Sequence, residues 1–408
     1  MFEAKVDKWI NEAYLEGMYD FASLLRTLPG VYPTEAVAGL HRIDSTPTLR
    51  REWANSIIAD AERDLPNGLV DPLWQVPVPH PLDYDWRFSR ESAEFIAARA
   101  MAATQVGGTL ILLGVPSILR ILESQGKPGC NIVFVDRNRR GQAVSFEVKN
   151  LNCDLSVDPL PLCEASTIVT DPPWYPDYVR SFLWAASYMA REGARIFVVF
   201  PGAGTRPGIE AEWEETLEWA QNAGLQWVDM STEKVEYITP AFERNALRAS
   251  GILNVPNIWR RATLAEFRRT GILQAERPPR PETDAWNEVE VSGVRWRLRI
   301  ENYHDNADPR LIELVPSGVL PSVSRRHLVR RLAKVWTSGN RIYGCNNTPL
   351  LREIIVTMKT CTVEQAEFQG RLKELSAGVS HVVPWHLIDE AAYQIQRVQE
   401  IETGEYGQ

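Results

Sequence analysis

Apolar residues recur at helical spacing through the opening stretch, where Val6, Ile10, Tyr14 and Met18 fall on one stripe. The pattern breaks at Pro29-Gly30 and again before Ser45-Thr46-Pro47, so residues 3–62 read as several short helices in succession. The stretch from Tyr32 to Leu40 suits either a winged-helix-like unit or a helical cap on the catalytic domain. Prolines then crowd together at Pro66, Pro72, Pro77, Pro79 and Pro81. Proline neither continues a helix nor donates to a central ladder, which puts a first boundary near residue 80. After Asp83-Tyr84-Asp85-Trp86-Arg87-Phe88, Ser89 is a good N-cap for a helix reaching about Ala103. Short apolar runs come next at Leu110–Leu113, Asn131–Asp136, Ala165–Thr170 and Arg195–Phe200, with helical patterns at Pro176–Arg191 and Ile209–Ala223. Gln226–Met230, Val235–Ile238 and Leu247–Ile252 are further strand candidates that close the sheet.

Buried strands alternating with helices imply right-handed crossovers and a parallel sheet covered on both faces. Prolines at Pro278, Pro279 and Pro281 mark a second boundary, beyond which alternating residues around Ser292-Gly293 predict a hairpin. Residues 322–400 read as mostly helical. The expected fold class is α/β: a Rossmann-like, doubly wound, mostly parallel sheet over residues 81–275, a helical region over 1–80, and a C-terminal hairpin and helical region over 276–408.

Composition sharpens this only a little. The formal charge of −9 argues against coating nucleic acid non-specifically; it suits a cationic substrate, and solubility accounts for it as well. Five cysteines, Cys130, Cys153, Cys163, Cys345 and Cys361, form no C-x-x-C pair and have no histidine at metal-ligand spacing, so reduced thiols and no structural metal are expected. His381 and His386 flank a proline and read as structural. The N-terminus lacks the pattern of a signal peptide, and no apolar run approaches a membrane span, so a cytoplasmic location is expected.

In an open doubly wound sheet, ligands bind beyond the carboxyl ends of the strands. Gly114, Asp136 and Asp171 each come at or just after the end of a predicted strand, and Asp154 follows the extended stretch after Ala143. An acid after the second strand is placed to bond ribose hydroxyls, and one after the third reaches an adenine amine. Asp171-Pro172-Pro173-Trp174 is the sharpest signal. Two prolines fix the backbone, leaving the Pro172 carbonyl and the Asp171 carboxylate as acceptors that can hold an amine. Trp174 can stack on a nucleobase or attract a cation. Gly114 and Ser117 of the first loop, with Asp136 and Asp154, are the candidate cofactor contacts. Asp171, Pro172 and Trp174 are the candidate catalytic residues, and Pro173, Tyr175, Glu236 and Tyr237 the candidate substrate contacts; no metal ligand is expected.

The stretches LILLGVPS, IVFVDRN, NCDLSVDPLP and IVTDPPWYP make residues 84–251 similar to the class I S-adenosylmethionine-dependent transferases. Within that superfamily the chain most resembles the branched-polyamine synthases, N4-bis(aminopropyl)spermidine synthase. The resemblance implies a methyltransferase-type fold, S-adenosylmethionine or its decarboxylated form as donor, and transfer of a methyl or aminopropyl group to an amine nitrogen. It also implies that Asp136 and Asp154 contact the donor's ribose and adenine, and that Asp171 holds and deprotonates the amine. That family has a run of aspartates after the first glycine, whereas Gly114-Val115-Pro116-Ser117 carries no carboxylate. The D-P-P-W loop resembles that of adenine-N6 methyltransferases, so the acceptor is an amine or a nucleobase.

The basic stretch from Ser324 to Lys334, a helix candidate, and the arginines of Trp259-Arg260-Arg261 and Arg268-Arg269 keep nucleic acid open as a partner, although a solvated face is the commoner meaning of such runs. The alternative is a non-catalytic protein of the same fold that binds a nucleotide or a partner, nucleic acid included, and assembles through its C-terminal helices. A homo-oligomer is left open.

Overall fold

The computed structural model describes residues 2–43, 47–59, 78–126, 129–137, 147–280, 285–301, 308–360, 370–374 and 383–406. Ser45, Thr46, Pro66, Pro72, Pro77, Pro281, Cys361 and His381 lie outside these residues. Four helices open the chain: α1 (Phe2–Leu15), α2 (Phe21–Thr27), α3 (Pro33–Arg42) and α4 (Pro47–Ile58). The Asp20 side chain caps α2 by accepting the Ser23 N–H, and Pro33 starts α3, where a missing N–H costs nothing. Their apolar stripe is completed from outside: Val6, Phe21, Leu24 and Trp53 share a core with Leu247, Ile252 and Trp259. No strand, and hence no wing, occurs among the described residues of this region.

The next unit runs β1 (Arg87–Phe88), α5 (Arg90–Ala103), β2 (Thr109–Leu113), α6 (Pro116–Gln125), β3 (Asn131–Asp136), β4 (Val148–Asn152), β5 (Ala165–Thr170), α7 (Pro176–Met189), β6 (Ala190–Pro201), α8 (Ile209–Asn222), β7 (Leu225–Ile238), α9 (Ala241–Ala249) and β8 (Ile258–Arg269). The Ser89 side chain accepts the Ser92 N–H and caps α5, as its position predicts. The strands form one sheet in the order β1-β7-β8-β6-β5-β2-β3-β4, parallel from β4 to β6. β8 runs antiparallel to both β6 and β7. Successive side chains of a strand face opposite ways. Leu110 and Leu112 of β2 therefore pack with Ile96 and Ile118 on one face, and Ile111 and Leu113 with Val179 and Leu183 on the other. The sheet is Rossmann-like and doubly wound: β3 and β4 extend it to one side of β2, then the chain crosses to β5 on the other, so the strand order reverses between β2 and β5.

Two expectations fail here. Leu247–Ile252 is no strand, because Leu247 belongs to α9 and Ile252 to the turn after it. The strand that closes the sheet is β8, whose terminal arginines read as surface charge. Its middle is buried, and Glu266 there accepts from Arg195 at 2.6 Å, which lets a charged residue occupy a central strand. Arg260 and Arg268 stand at opposite ends of β8, ~25 Å apart at the strand rise, so they form no single basic surface.

A second, antiparallel sheet has the order β11-β13-β12-β10-β9 and contains β9 (Trp286–Val291), β10 (Val294–Arg299), β11 (Ile312–Glu313), β12 (Val335–Thr337) and β13 (Ile342–Gly344). The expected hairpin is β9–β10, turning at Ser292-Gly293, both with positive φ. Helices α10 (Thr348–Thr360) and α11 (Trp385–Tyr406) pack on this sheet. Residues 322–400 are thus less helical than the sequence suggests, and the basic stretch is no α-helix: Arg325-Arg326 forms a turn and Leu328–Leu332 a 3-10 segment.

Residues 78–86 form a strap between the two sheets. Its carboxylate Asp83 accepts from Arg137 at 2.7 Å, Arg295 at 2.6 Å and Arg297 at 2.9 Å. Burial alone would raise this carboxyl, but three guanidinium groups hold it well below the usual carboxylate range. A lowered folded pKa means stability present at neutral pH and lost as the pH falls below about 4. Arg295 is 1 % exposed, so Asp83→Ala leaves it with Glu288 as its remaining ion-pair partner. We expect a loss of about 3–5 kcal/mol by urea denaturation at pH 7, and little change for Asp308→Ala, whose ion pair with Arg310 is more exposed.

Candidate active site

At the carboxyl ends of β2, β3, β4 and β5 lies a cavity of about 850 Å³ counted to its open mouth, roofed by the strap. Gly114, Asp136, Asp154 and Asp171 all line it. Gly114 sits at φ +64°, where a side chain is strained, and a Cβ there would lie 3.4 Å from Phe182. Asp154 accepts from the Ser156 N–H at 2.9 Å, which fixes its carboxylate at the rim. Arg137 bonds the Leu82 carbonyl and Asp83, tying the end of β3 to the roof. Ser117 does not line this cavity: it is buried in the first turn of α6, beneath the loop it was expected to serve.

A second cavity, of about 750 Å³ on the same count, adjoins the first. Tyr84, Trp86, Asp171 and Pro173 line both, so they form the wall between them. The diproline corner builds this wall. Thr170 ends the buried strand β5, Asp171 follows it, then come two prolines without N–H groups, and the Tyr175 N–H turns back to the Pro173 carbonyl at 2.7 Å before α7 begins. Pro172 faces the second cavity, and among the described residues no donor is bonded to its carbonyl.

Asp171 accepts from the Tyr237 hydroxyl at 2.7 Å and has no ion-pair partner among the described residues. Burial pushes its carboxyl up to about 7, against the opposing pull of the Tyr237 hydrogen bond and of Arg260. Burial and the Asp171 charge in turn raise the Tyr237 phenol well above its usual value, so it stays a donor. A carboxyl balanced between its two protonation states at neutral pH can take a proton from a bound group and release it again.

Trp174 is buried, with its ring in edge contact with Tyr237 at 5.6 Å. The Arg260 guanidinium lies 4.1 Å from its centroid and 4.2 Å from that of Trp86. Trp174 does attract a cation, but the cation is the chain's own, and that ring face is not open to a nucleobase. Tyr175 accepts the Arg325 N–H at 3.1 Å and touches Tyr84 edge-on. Glu236 lines neither cavity; it pairs with Arg261 at 3.3 Å. Glu243 is also away from the mouth, buried and bonded by the Tyr32 hydroxyl. Sequence reasoning missed the strap residues Tyr84 and Trp86, and Arg260, Arg206 and Arg326 of the second cavity. The signal for the strap was the acid-aromatic run beside the proline boundary; for Arg260 it was an arginine between apolar residues at strand spacing.

No protein-family model matches the sequence, and no curated protein matches it. Among solved structures, the chain is similar to the branched-chain polyamine synthase of Thermus thermophilus in complex with N4-aminopropylspermidine and 5'-methylthioadenosine, with 15% identity and a TM-score of 0.46 over 68% of this chain and 91% of that one. The C9 mutein of that synthase gives 16%, 0.49, 68% and 90%. The 1,6-didemethyltoxoflavin-N1-methyltransferase of Burkholderia thailandensis, with S-adenosylhomocysteine bound, gives 13%, 0.31, 45% and 80%. The fold assignment stands on this chain's own strand order.

Among the described residues no group of three or more His, Cys, Asp or Glu side chains is placed to hold a metal ion, and no helix is long and apolar enough to cross a membrane. The raised Asp171 carboxyl carries a stability consequence. A folded pKa above the unfolded one gives stability that is full below about pH 4 and lost as the pH rises through about 7. Asp171→Asn should therefore make the protein more stable than wild type at pH 8, by at most roughly 4 kcal/mol, with the gap closing toward pH 5. Urea midpoints across that range check it, and a pH-independent difference contradicts it.

Proposed function

We propose that the chain is a transferase that moves an alkyl group, methyl or aminopropyl, from an S-adenosylmethionine-type donor to a nitrogen. The observation that carries this reading is Asp171: a carboxyl poised near neutrality, in the wall shared by the cavity at the strand ends and a second cavity. The residues fit the donor. Asp136 and Asp154 offer carboxylates to hydroxyl and amine donors of a nucleoside, and Gly114 allows the turn at positive φ that brings the backbone to the cavity. When bound, the donor supplies a carbon activated by a positively charged sulfur.

The chain's own part is orientation and proton transfer. The Asp171 carboxylate and the Pro172 carbonyl hold the acceptor nitrogen by its hydrogens, with its lone pair directed at the shared wall. As the nitrogen forms its new bond to carbon, the carbon–sulfur bond would break and the sulfur would leave as a neutral thioether; the nitrogen becomes cationic, and Asp171 removes its proton. Tyr237 anchors one carboxylate oxygen and leaves the other for that proton. The strap and the rings of Trp86 and Tyr84 shield the wall from bulk water, which strengthens these polar contacts.

Calorimetric titration with S-adenosylmethionine and with its decarboxylated form tests the reading and separates the two transfers. One of them should bind, and Asp171→Asn should spare that binding while lowering turnover at least 100-fold; absence of heat with both donors contradicts the proposal. Once an acceptor is found in a panel of labelled-donor assays, kcat/KM should fall as the pH drops through about 7. Because the Tyr237 hydrogen bond lowers the Asp171 value, Tyr237→Phe should move that inflection upward.

A further inference from the structure

The second cavity is lined by three arginines, Arg206, Arg260 and Arg326, against a single carboxylate, Asp171 at the shared wall. Two of the arginines have charge to spare. The Arg260 guanidinium lies between the Trp86 and Trp174 rings at 4.2 and 4.1 Å, and no described carboxylate is within ion-pairing distance. Its nearest acids are each bonded by a phenol and not by Arg260: Tyr237 donates to Asp171, and Tyr32 to Glu243. Arg326 stands exposed at the mouth, and no described carboxylate pairs with it. Arg206 is committed, donating to the Trp174 carbonyl at 2.9 Å and to Glu212.

A linear polyamine is the wrong guest for this lining. Each of its ammonium groups beyond the reacting nitrogen would face guanidinium groups at close range in a site screened from water, where like charges repel strongly. An anion meets the opposite field. A guanidinium already stacked on aromatic rings has its in-plane N–H groups left to bond a carboxylate or phosphate.

We infer that the second cavity binds an acceptor bearing an anionic group, a carboxylate or a phosphate, which Arg260 and Arg326 hold while the nucleophilic nitrogen lies at Asp171. This rests on the transferase reading for the identity of the nitrogen, but the anion site stands on the cavity itself.

The test is calorimetry on the full chain, alone and saturated with S-adenosylhomocysteine, using inorganic phosphate, glutarate and spermidine as probes. Phosphate or glutarate should bind and spermidine should not, and comparison of the two anions identifies which group the site prefers. Arg326→Gln, a surface change that leaves the fold intact, should weaken the preferred anion at least fivefold; Arg260→Lys should weaken it at least tenfold. Spermidine binding in place of both anions overturns the inference, as does anion binding unchanged in both variants. If anions bind and S-adenosylhomocysteine does not, the anion site is upheld and the donor reading fails; the reverse pattern leaves the donor reading and removes the anion site.

Discussion

The site depends on one constraint, a carboxyl group placed where water cannot fully solvate its charge. Asp171 follows the end of the central strand β5 at the point where strand order reverses, and its described hydrogen-bond partner is a phenol. Hydrogen bonding to Tyr237 and the field of Arg260 offset part of the desolvation cost, and the remainder leaves the group near neutrality. A fully paired aspartate would be a spectator at pH 7, and an unpaired one in pure hydrocarbon would stay protonated. The intermediate case is the one in which a side chain can exchange a proton with a substrate.

Holding a carboxyl in that state requires its surroundings to stay fixed, and the fold does this from both sides. The diproline corner sets the backbone, and the interlocked rings of Trp86, Trp174, Tyr237 and Phe242 set the wall behind it. Arg260 is clamped inside that cluster, so it lowers the Asp171 value without bonding it. The strap bearing Tyr84 and Trp86 is in turn nailed down by Asp83, which draws Arg137 from the end of β3 and Arg295 and Arg297 from β10. The C-terminal sheet thereby supports the roof of the first cavity, although it contributes no residue to that cavity's lining.

Much of the fold was legible because burial imposes a simple pattern. β5, from Ala165 to Thr170, is buried at every position and reads as an uninterrupted run; the Ser89 cap and the Ser292-Gly293 turn arise from local chemistry. β8 was not legible, since a central strand whose ends carry paired and stacked arginines resembles surface sequence. Of the site, the acids at strand tips were visible because topology dictates their positions. Ser117 and Glu236 were misplaced for a different reason: being near a loop in sequence does not fix which way a side chain turns, and burial under α6 and pairing with Arg261 decided it. The partnership of Asp171 with Tyr237, 66 residues apart, joins two strands that are not neighbours in the sheet, and no local pattern encodes it.

The state of Asp171 itself is the most direct measure of this account. Carbon-13 NMR titration of the full chain with labelled aspartate carboxyls, the Asp171 signal being assigned by its loss in Asp171→Asn, should give a midpoint near 7. A midpoint near 4, the value of an ordinary solvated aspartate, would contradict it.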